Sequence, residues 1–578
     1  MWGHMDRYRK IATICSFFLI SVSLLVVNHT PAVTYELSIY ASTPTIFWLA
    51  IFSGVLLGIW NVFNKKSDVL WLIGLLEIIL CNVLILALYV VRGYYYLERG
   101  DVFTYVGFAL DILQSGCIGD NFYPFVSILL SALSTVPGIT TLNAAKLLPV
   151  LICVLYLFSV YCWAKSINPD KIYIKATLVA AVPLFFASFL LTIYHMTVAA
   201  LLLPLLFYLL NNGHRYQYVV LLVLFMLVLP FTHPFIVIMF FVYLVLLYFF
   251  LLMSDKKRGL VPLQISIKPT ILLILLIWWT QWFIQTYALL RSGKSIFSQI
   301  FSSSTIELST GDLAQQYIQQ IGLLKVIQTA FLAQIDELIY LALGCIALCY
   351  IYAKIRNPED FHEKIKYYGS LAVIGCLTLF ITAFFLRLHN PVRILNLNFN
   401  VLLCVPIVGY LLYETLIRKN SFWTFVLIFF IVISGFSSYL TLYQSPNVYT
   451  PNDQVTKTEL VGMQWFIDNK CTQIPTSDFM SPVTRYVHLI YGYTYGTDNK
   501  HIIAGQEILP HFSQINNWRY TTNETTYIIV TQYDITAYTE VWSDVNKFDV
   551  NDFNAFNHFE NTNLVYDNTG FSCNLVCI

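Results

Sequence analysis

The stretch LERGDVFTYVGFALDILQSGCIGDNFYP (97–124) carries Asp101 and Asp111 together with Thr104 and Ser115, and it ends in Tyr123-Pro124. At helical spacing those four polar residues fall within about one quadrant of a helix. Val102, Tyr105, Val106, Ala109, Ile112 and Leu113 occupy the other side. Gly116 is placed to close the helix in the left-handed conformation. A carboxylate at the start of such a helix can take a proton from a hydroxyl, or it can cap the helix; Asp101, following Gly100, fits either role. A carboxylate at membrane depth is costly unless paired or used, which favours chemistry for Asp101. The plain alternative for Asp111 is exposure to water.

A second group is cationic. RLHNPVRILNLNFN (387–400) places Arg387, His389 and Arg393 at the mouth of two apolar segments. A guanidinium grips phosphate through two parallel hydrogen bonds, so a lipid-linked phosphate is the natural anion there. The plain alternative is an ion pair with Asp101 or Glu98, or with headgroup phosphates. Lys146, His195 and His233 stand at comparable segment ends, and a lone histidine there is more often structural than chemical. Asp336 and Glu337, in AQIDELIY, lie inside an apolar run and call for a polar partner in the bundle. Glu307 and Asp312 fall in a Ser/Thr-bearing loop, 291–330. No Gly-rich phosphate loop, HExxH or GxSxG is present, which leaves nucleotide hydrolysis without support.

The elements that must position these residues are set by composition. The chain is 578 residues long, 58% hydrophobic and 11% charged, where soluble domains run near a quarter charged. The expected fold class is an α-helical polytopic membrane protein of about thirteen spans, since ~20 apolar residues cross a ~30 Å core. The segments are 11–29, 46–63, 69–91, 143–165, 175–191, 196–211, 217–231, 234–252, 269–290, 331–353, 368–386, 397–417 and 422–443. Basic clusters at 6–10, 65–66, 165–175, 214–215, 256–258, 354–366 and 418–419 alternate with them. The positive-inside rule then gives a plasma-membrane protein with a cytosolic N-terminus and an extracytosolic C-terminus. Domain one is 1–443, with an outer loop at 92–142 in which 125–138 is too short to cross. Domain two is 444–578, a small extracytosolic α/β unit with 14 acidic and six basic residues. A helix is expected over 456–469 and strands over 525–535 and 569–578. Eight cysteines sit in spans as small hydrophobes. Cys471, Cys573 and Cys577 leave one disulfide open outside.

The acid-opened outer loop, the helix after it, the aromatic-Pro pair and the basic-Leu-Pro run NAAKLLPVL (143–151) together resemble the GT-C glycosyltransferase superfamily. That group includes the protein O-mannosyltransferases and the aminoarabinose and oligosaccharyl transferases, and the likeness runs most to uncharacterised archaeal multipass members. The resemblance implies transfer of sugar from a polyprenyl-phosphate donor to a glycan, lipid or protein acceptor at the outer face, with inversion. It assigns Asp101 as base, and Arg393, Arg387 and Lys146 as ligands of the donor phosphate. Asp111, Tyr123, His195, His233, Glu307 and His389 become donor or acceptor contacts. No cofactor is firmly implied; a divalent metal is compatible, and the reading is metal-independent. The chain departs from the pattern in having two spans before the loop, no Asp-Glu pair at 101–102 and no WWDYG in the tail. The rival classes are a transporter or flippase of lipid-linked glycans, which would show internal repeats and broken helices, and a non-catalytic scaffold with an outer binding domain. No nucleic-acid partner is expected.

Overall fold

The computed structural model describes residues 2–64, 68–119, 121, 123–184, 186, 188–213, 215–233, 236–245, 269–285, 322–355, 368–369, 371–379, 396–498, 508–514, 524–556, 558–559 and 561–577. The molecule is mostly helical. Among the described residues seven helices are long and apolar enough to cross a membrane, and a small sheet stands near the C-terminus. The chain is a membrane protein on that ground. The long helices are α1 (Trp2–Asn28), α2 (Thr45–Val62), α3 (Asp68–Leu86), α6 (Thr141–Ile167), α12 (Leu323–Ile355), α13 (Asn396–Ile417) and α14 (Ser421–Thr441). Small residues let backbones close in: a Cβ at Gly74 of α3 would stand 2.6 Å from the carbonyl oxygen of Gly58 in α2.

Between α3 and α6 lie two shorter helices, α4 (Asp101–Ser115) and α5 (Pro124–Thr135). Gly116 ends α4 with φ +72°, as its sequence demands. The expected spans at 175–191 and 196–211 are each broken. The first is α7 (Lys171–Ala180), which stops ahead of Pro183, and a short helix, Ser188–Leu191. The second is α8 (His195–Leu201) followed by α9 (Leu203–Asn211), which carries Pro204 at its start; α10 (Tyr216–Val228) and α11 (Pro269–Gln285) come next. Proline removes a donor and clashes with the preceding turn, so an apolar run containing one need not be a single rod. Phe186 and Ile193, both at positive φ, mark the first break.

The C-terminal region folds around a four-stranded sheet in the order β3 (Thr476–Asp478), β4 (Thr526–Thr531), β6 (Phe571–Val576), β5 (Thr562–Asp567). The β3–β4 pair is parallel and the other two are antiparallel. The expected helix at 456–469 is α15 (Lys457–Asn469), and its Phe466 packs on Tyr527 and Phe571. The strand expected at 525–535 ends at Thr531, because Thr531 and Asp534 form a capping box that starts a helix, Gln532–Thr536. Phe512, Ile528, Val530, Phe548 and Phe553 fill a second core on the other side of the sheet. All twelve cysteines are free, including Cys471, Cys573 and Cys577.

This region is stitched to the loop ahead of α4. Strand β1 (Tyr96–Leu97) pairs antiparallel with β2 (Gln454–Val455), Tyr96 opposite Val455. Tyr35 donates to the Asn452 carbonyl at 2.7 Å, and the Asn452 amide donates to the Glu36 carbonyl at 2.7 Å.

Candidate functional site

Asp101 is the first residue of α4 and does not cap it. The N-cap is Gly100, and Glu98 does the capping. The Glu98 carboxylate accepts from the Val102 N–H at 3.4 Å and also takes the Asp101 N–H. Glu98 reaches that position with φ +77°, a conformation that L-residues adopt at a cost and that recurs at functional sites. Burial first, then the charges of Asp453 and Asp101, push the Glu98 carboxyl up to about 8. Asp453 is pushed to about 6, chiefly by burial. Glu98 therefore supplies a protonated carboxyl beside Asp101 at neutral pH. Reading the sequence put Glu98 only among ion-pair partners; a capping role two residues upstream of an N-cap leaves no local signal.

Beneath the loop Arg99 is fully enclosed. Its Nε and one terminal nitrogen each donate to Glu459 at 2.8 Å, its guanidinium also reaches the Gln454 carbonyl, and it lies 3.9 Å over the Tyr533 ring. Tyr486 donates to the same carboxylate. Burial opposes the charge on Arg99, and the Glu459 carboxylate more than offsets it.

The polar stripe of α4 meets protein rather than water. It docks on α16 (Val483–Tyr491) and α17 (Tyr493–Asp498) of the C-terminal region. Arg485 donates to Asp101 at 3.0 Å and to the Thr104 hydroxyl. The Thr104 oxygen stands 3.1 Å from His488 Nδ1. Burial, and then the Arg485 charge, lower the His488 pKa to about 4, so the ring beside Thr104 is neutral. Asp111 accepts from the Thr494 N–H and hydroxyl, each at 2.8 Å, and does not simply face water. Only Asp101 and Ser115 of the stripe remain exposed, Asp101 with 54% of its side chain.

Behind Asp101, one turn along α4, the breaks in the apolar runs gather an aromatic–imidazole cluster. The Tyr105 ring lies 4.1 Å from His195, and Tyr123 lies 5.4 Å from His195 and 5.6 Å from His233. Tyr194 is 6.4 Å from His233. His195 is 6% exposed, and its Nδ1 has no hydrogen-bond partner among the described residues. Burial, and secondarily the Asp101 charge, hold the Tyr105 phenol protonated. Lys146, on the first turns of α6, places its ammonium 5.4 Å from the Tyr95 ring, and no carboxylate pairs with it among the described residues.

The structure thus brings Asp101, Tyr123, His195 and His233 together around α4, leaves Lys146 against the Tyr95 ring, and turns Asp111 toward the C-terminal region. Arg387, His389, Arg393 and Glu307 lie outside the described residues. The one three-residue group with metal-ligand types among the described residues is His511, Asp549 and Asp552. There Asp549 and Asp552 form a capping box, and Asp552 also accepts from the Ser513 N–H, so local structure accounts for both carboxylates. No protein-family model matches the chain, and no curated protein matches it either.

Proposed function

We propose that the protein is a membrane glycosyltransferase that uses a polyprenyl-phosphate-linked sugar, with Asp101 as general base. The thirteen-span topology, the cytosolic N-terminus and the plasma-membrane location of the extracytosolic C-terminal region belong to this proposal. One observation carries it: Glu98 relieves Asp101 of capping, leaving a half-exposed carboxylate at the rim of a tyrosine–histidine cluster. In the reaction an acceptor hydroxyl oxygen bonds to the anomeric carbon as the bond from that carbon to the phosphate oxygen breaks. The hydroxyl proton passes to Asp101, and the departing lipid phosphate carries the electron pair toward Lys146. Aromatic rings suit a sugar face, and the His195 Nδ1 is available to a sugar hydroxyl. No metal enters this scheme.

A second reading has its own support. The same stripe docks the C-terminal region through Asp101, Thr104 and Asp111, which is what a non-catalytic scaffold would use it for. Vesicles holding the purified chain, a panel of polyprenyl-phosphate hexoses and membrane-extract acceptors separate the two. Asp101→Asn keeps a hydrogen bond to Arg485 and is expected to fold, while transfer falls roughly 10²–10⁴-fold, the usual worth of a general base. Unchanged transfer by the variant, or none by the wild type, sinks the enzymatic reading.

A further inference from the structure

The face of the C-terminal sheet turned away from α15 carries a cavity of about 250 Å³ at the edge of the second core. Val530 of β4, Ser572 and Asn574 of β6 and Leu564 of β5 floor it. Register places these four on one face, with Val530 opposite Ser572 and Leu564 opposite Asn574. A bulge adds Asp567 to them. The β5–β6 register shifts between Leu564 and Tyr566, so Tyr566 turns toward α15, where it stacks on Trp465, and Asp567 comes opposite Ser572. In a regular strand two residues three apart would face opposite ways. Bulges recur beside functional sites because they re-aim a side chain in this manner.

The walls supply two kinds of contact. Phe553 and Phe556, both buried, give an apolar side, and Asn554 between them stands at the exposed rim. Gln532 and Thr569 also line the cavity. At the floor Asn574 is 2% exposed, yet its Oδ1 has no hydrogen-bond partner among the described residues. A buried acceptor left unmet is costly, and a ligand that brings a hydroxyl proton to it removes that cost. The amides of Gln532, Asn554 and Asn574 and the hydroxyls of Thr569 and Ser572 both donate and accept, while the Asp567 carboxylate accepts. No Lys, Arg or His is among the lining residues, so nothing there favours an anion.

We propose that this cavity binds one uncharged, polyhydroxylated ring, a neutral hexose or N-acetylhexosamine residue of a glycan. Asn574 and Asp567 accept from its hydroxyls, and Phe553 and Phe556 pack on its apolar C–H face. Groups that donate and accept in equal measure match hydroxyls, which do both. The volume lies below the ~300–1,000 Å³ of sites for drug-sized ligands, which limits the occupant to a single ring. The cavity shares no residue with the site around Asp101, and the inference does not depend on the proposed transfer reaction.

The test uses the full chain in lipid nanodiscs, since alkyl glycoside detergents would compete for such a site. Methyl glycosides of glucose, mannose, galactose and N-acetylglucosamine are titrated singly and followed by saturation-transfer difference NMR. Expected is a saturable signal in the millimolar range for at least one of them. Asn574→Leu keeps most of the volume and is expected to weaken that binding at least tenfold. Because it removes an unmet buried acceptor, it is also expected to unfold no earlier than wild type, so loss of binding is distinct from loss of fold. Asn554→Ala, at the exposed rim, leaves the core untouched and is expected to weaken binding as well. A wild-type chain that gives no saturable signal with any of the four glycosides, or either folded variant binding within threefold of wild type, overturns the site.

Discussion

Removing the Glu459 carboxylate is expected to release the loop that holds Asp101. Arg99 and Glu459 have side chains 4% and 2% exposed and are joined by two 2.8 Å bonds. Glu459→Leu keeps much of the volume and leaves a guanidinium buried with one carbonyl and a tyrosine face. Breaking such a pair from one side costs about 3–5 kcal/mol. At about 1.36 kcal/mol per decade, this becomes a roughly 150- to 5,000-fold rise in the open population. Two amides report it directly: the Tyr95 N–H bonds the Val455 carbonyl at 3.1 Å, and the Glu98 N–H bonds the Asp453 carbonyl at 2.8 Å. Hydrogen exchange on the full chain in detergent, read on peptides spanning 93–100 and 452–460, is expected to accelerate by that factor while peptides from α3 keep their rate. Arg99→Met combined with Glu459→Leu removes the stranded charge and is expected to recover most of the protection. Exchange in Glu459→Leu within threefold of wild type would refute the reasoning, because the loop would then be held by something other than this pair.

Two further outcomes concern the same interface. A Cβ at Gly107 would stand 2.7 Å from the His488 carbonyl oxygen and 3.1 Å from its Cβ. Gly107→Ala is therefore expected to push α16 off α4 at a cost of about 1–3 kcal/mol, seen as faster protease cleavage after residue 444. Glu98 holds its proton up to about 8, against an ordinary value of 4.5. The docked loop thus binds that proton more tightly than the undocked chain does, and its stability is complete below about pH 4.5 and drains away as pH rises toward 8. Protection at 95–104, corrected for intrinsic exchange, is expected to fall over that window, and Glu98→Gln to flatten the fall; a profile unchanged by the substitution would count against the assignment.

Much of the architecture is legible in local pattern. The 3.6-residue spacing of Val102, Tyr105, Val106 and Ala109, closed by Gly116, defines α4, and all four residues are buried as that spacing requires. Apolar runs locate the long helices, because a membrane core demands unbroken hydrophobicity over a known length, but α1 and α12 begin well ahead of the runs at 11–29 and 331–353, at Trp2 and Leu323. What pattern does not carry is the partner of a polar face. Asp101, Thr104 and Asp111 read as a stripe, but the groups that cover them, Arg485, His488 and Thr494, come from some 380 residues further along the chain. His195 and His233 read as segment ends, but nothing in local pattern shows that both ends close around Tyr123. Glu98 escaped because its role depends on a positive φ, and nothing in the residue type announces that conformation.

The two ion pairs at the interface differ in a way that bears on function. The pair beneath the loop is dry and bidentate, and it sets where the C-terminal region sits. The pair at the rim is monodentate, with Arg485 32% and Asp101 54% exposed, and pairs of that kind contribute about 0–1 kcal/mol. Opening the rim pair therefore costs little while the buried pair keeps the domain in place, so Arg485 can leave Asp101 without undocking α16. Arg485→Gln is expected to leave exchange at 93–100 within about threefold of wild type, yet to change the pH dependence of any transfer reaction, since the cation beside the base is gone. A fully catalytic Asp101 needs that freedom; a purely structural stripe does not. If Arg485→Gln instead loosens the interface as much as Glu459→Leu does, the rim pair is part of the scaffold and the case for Asp101 as a base loses its geometric footing.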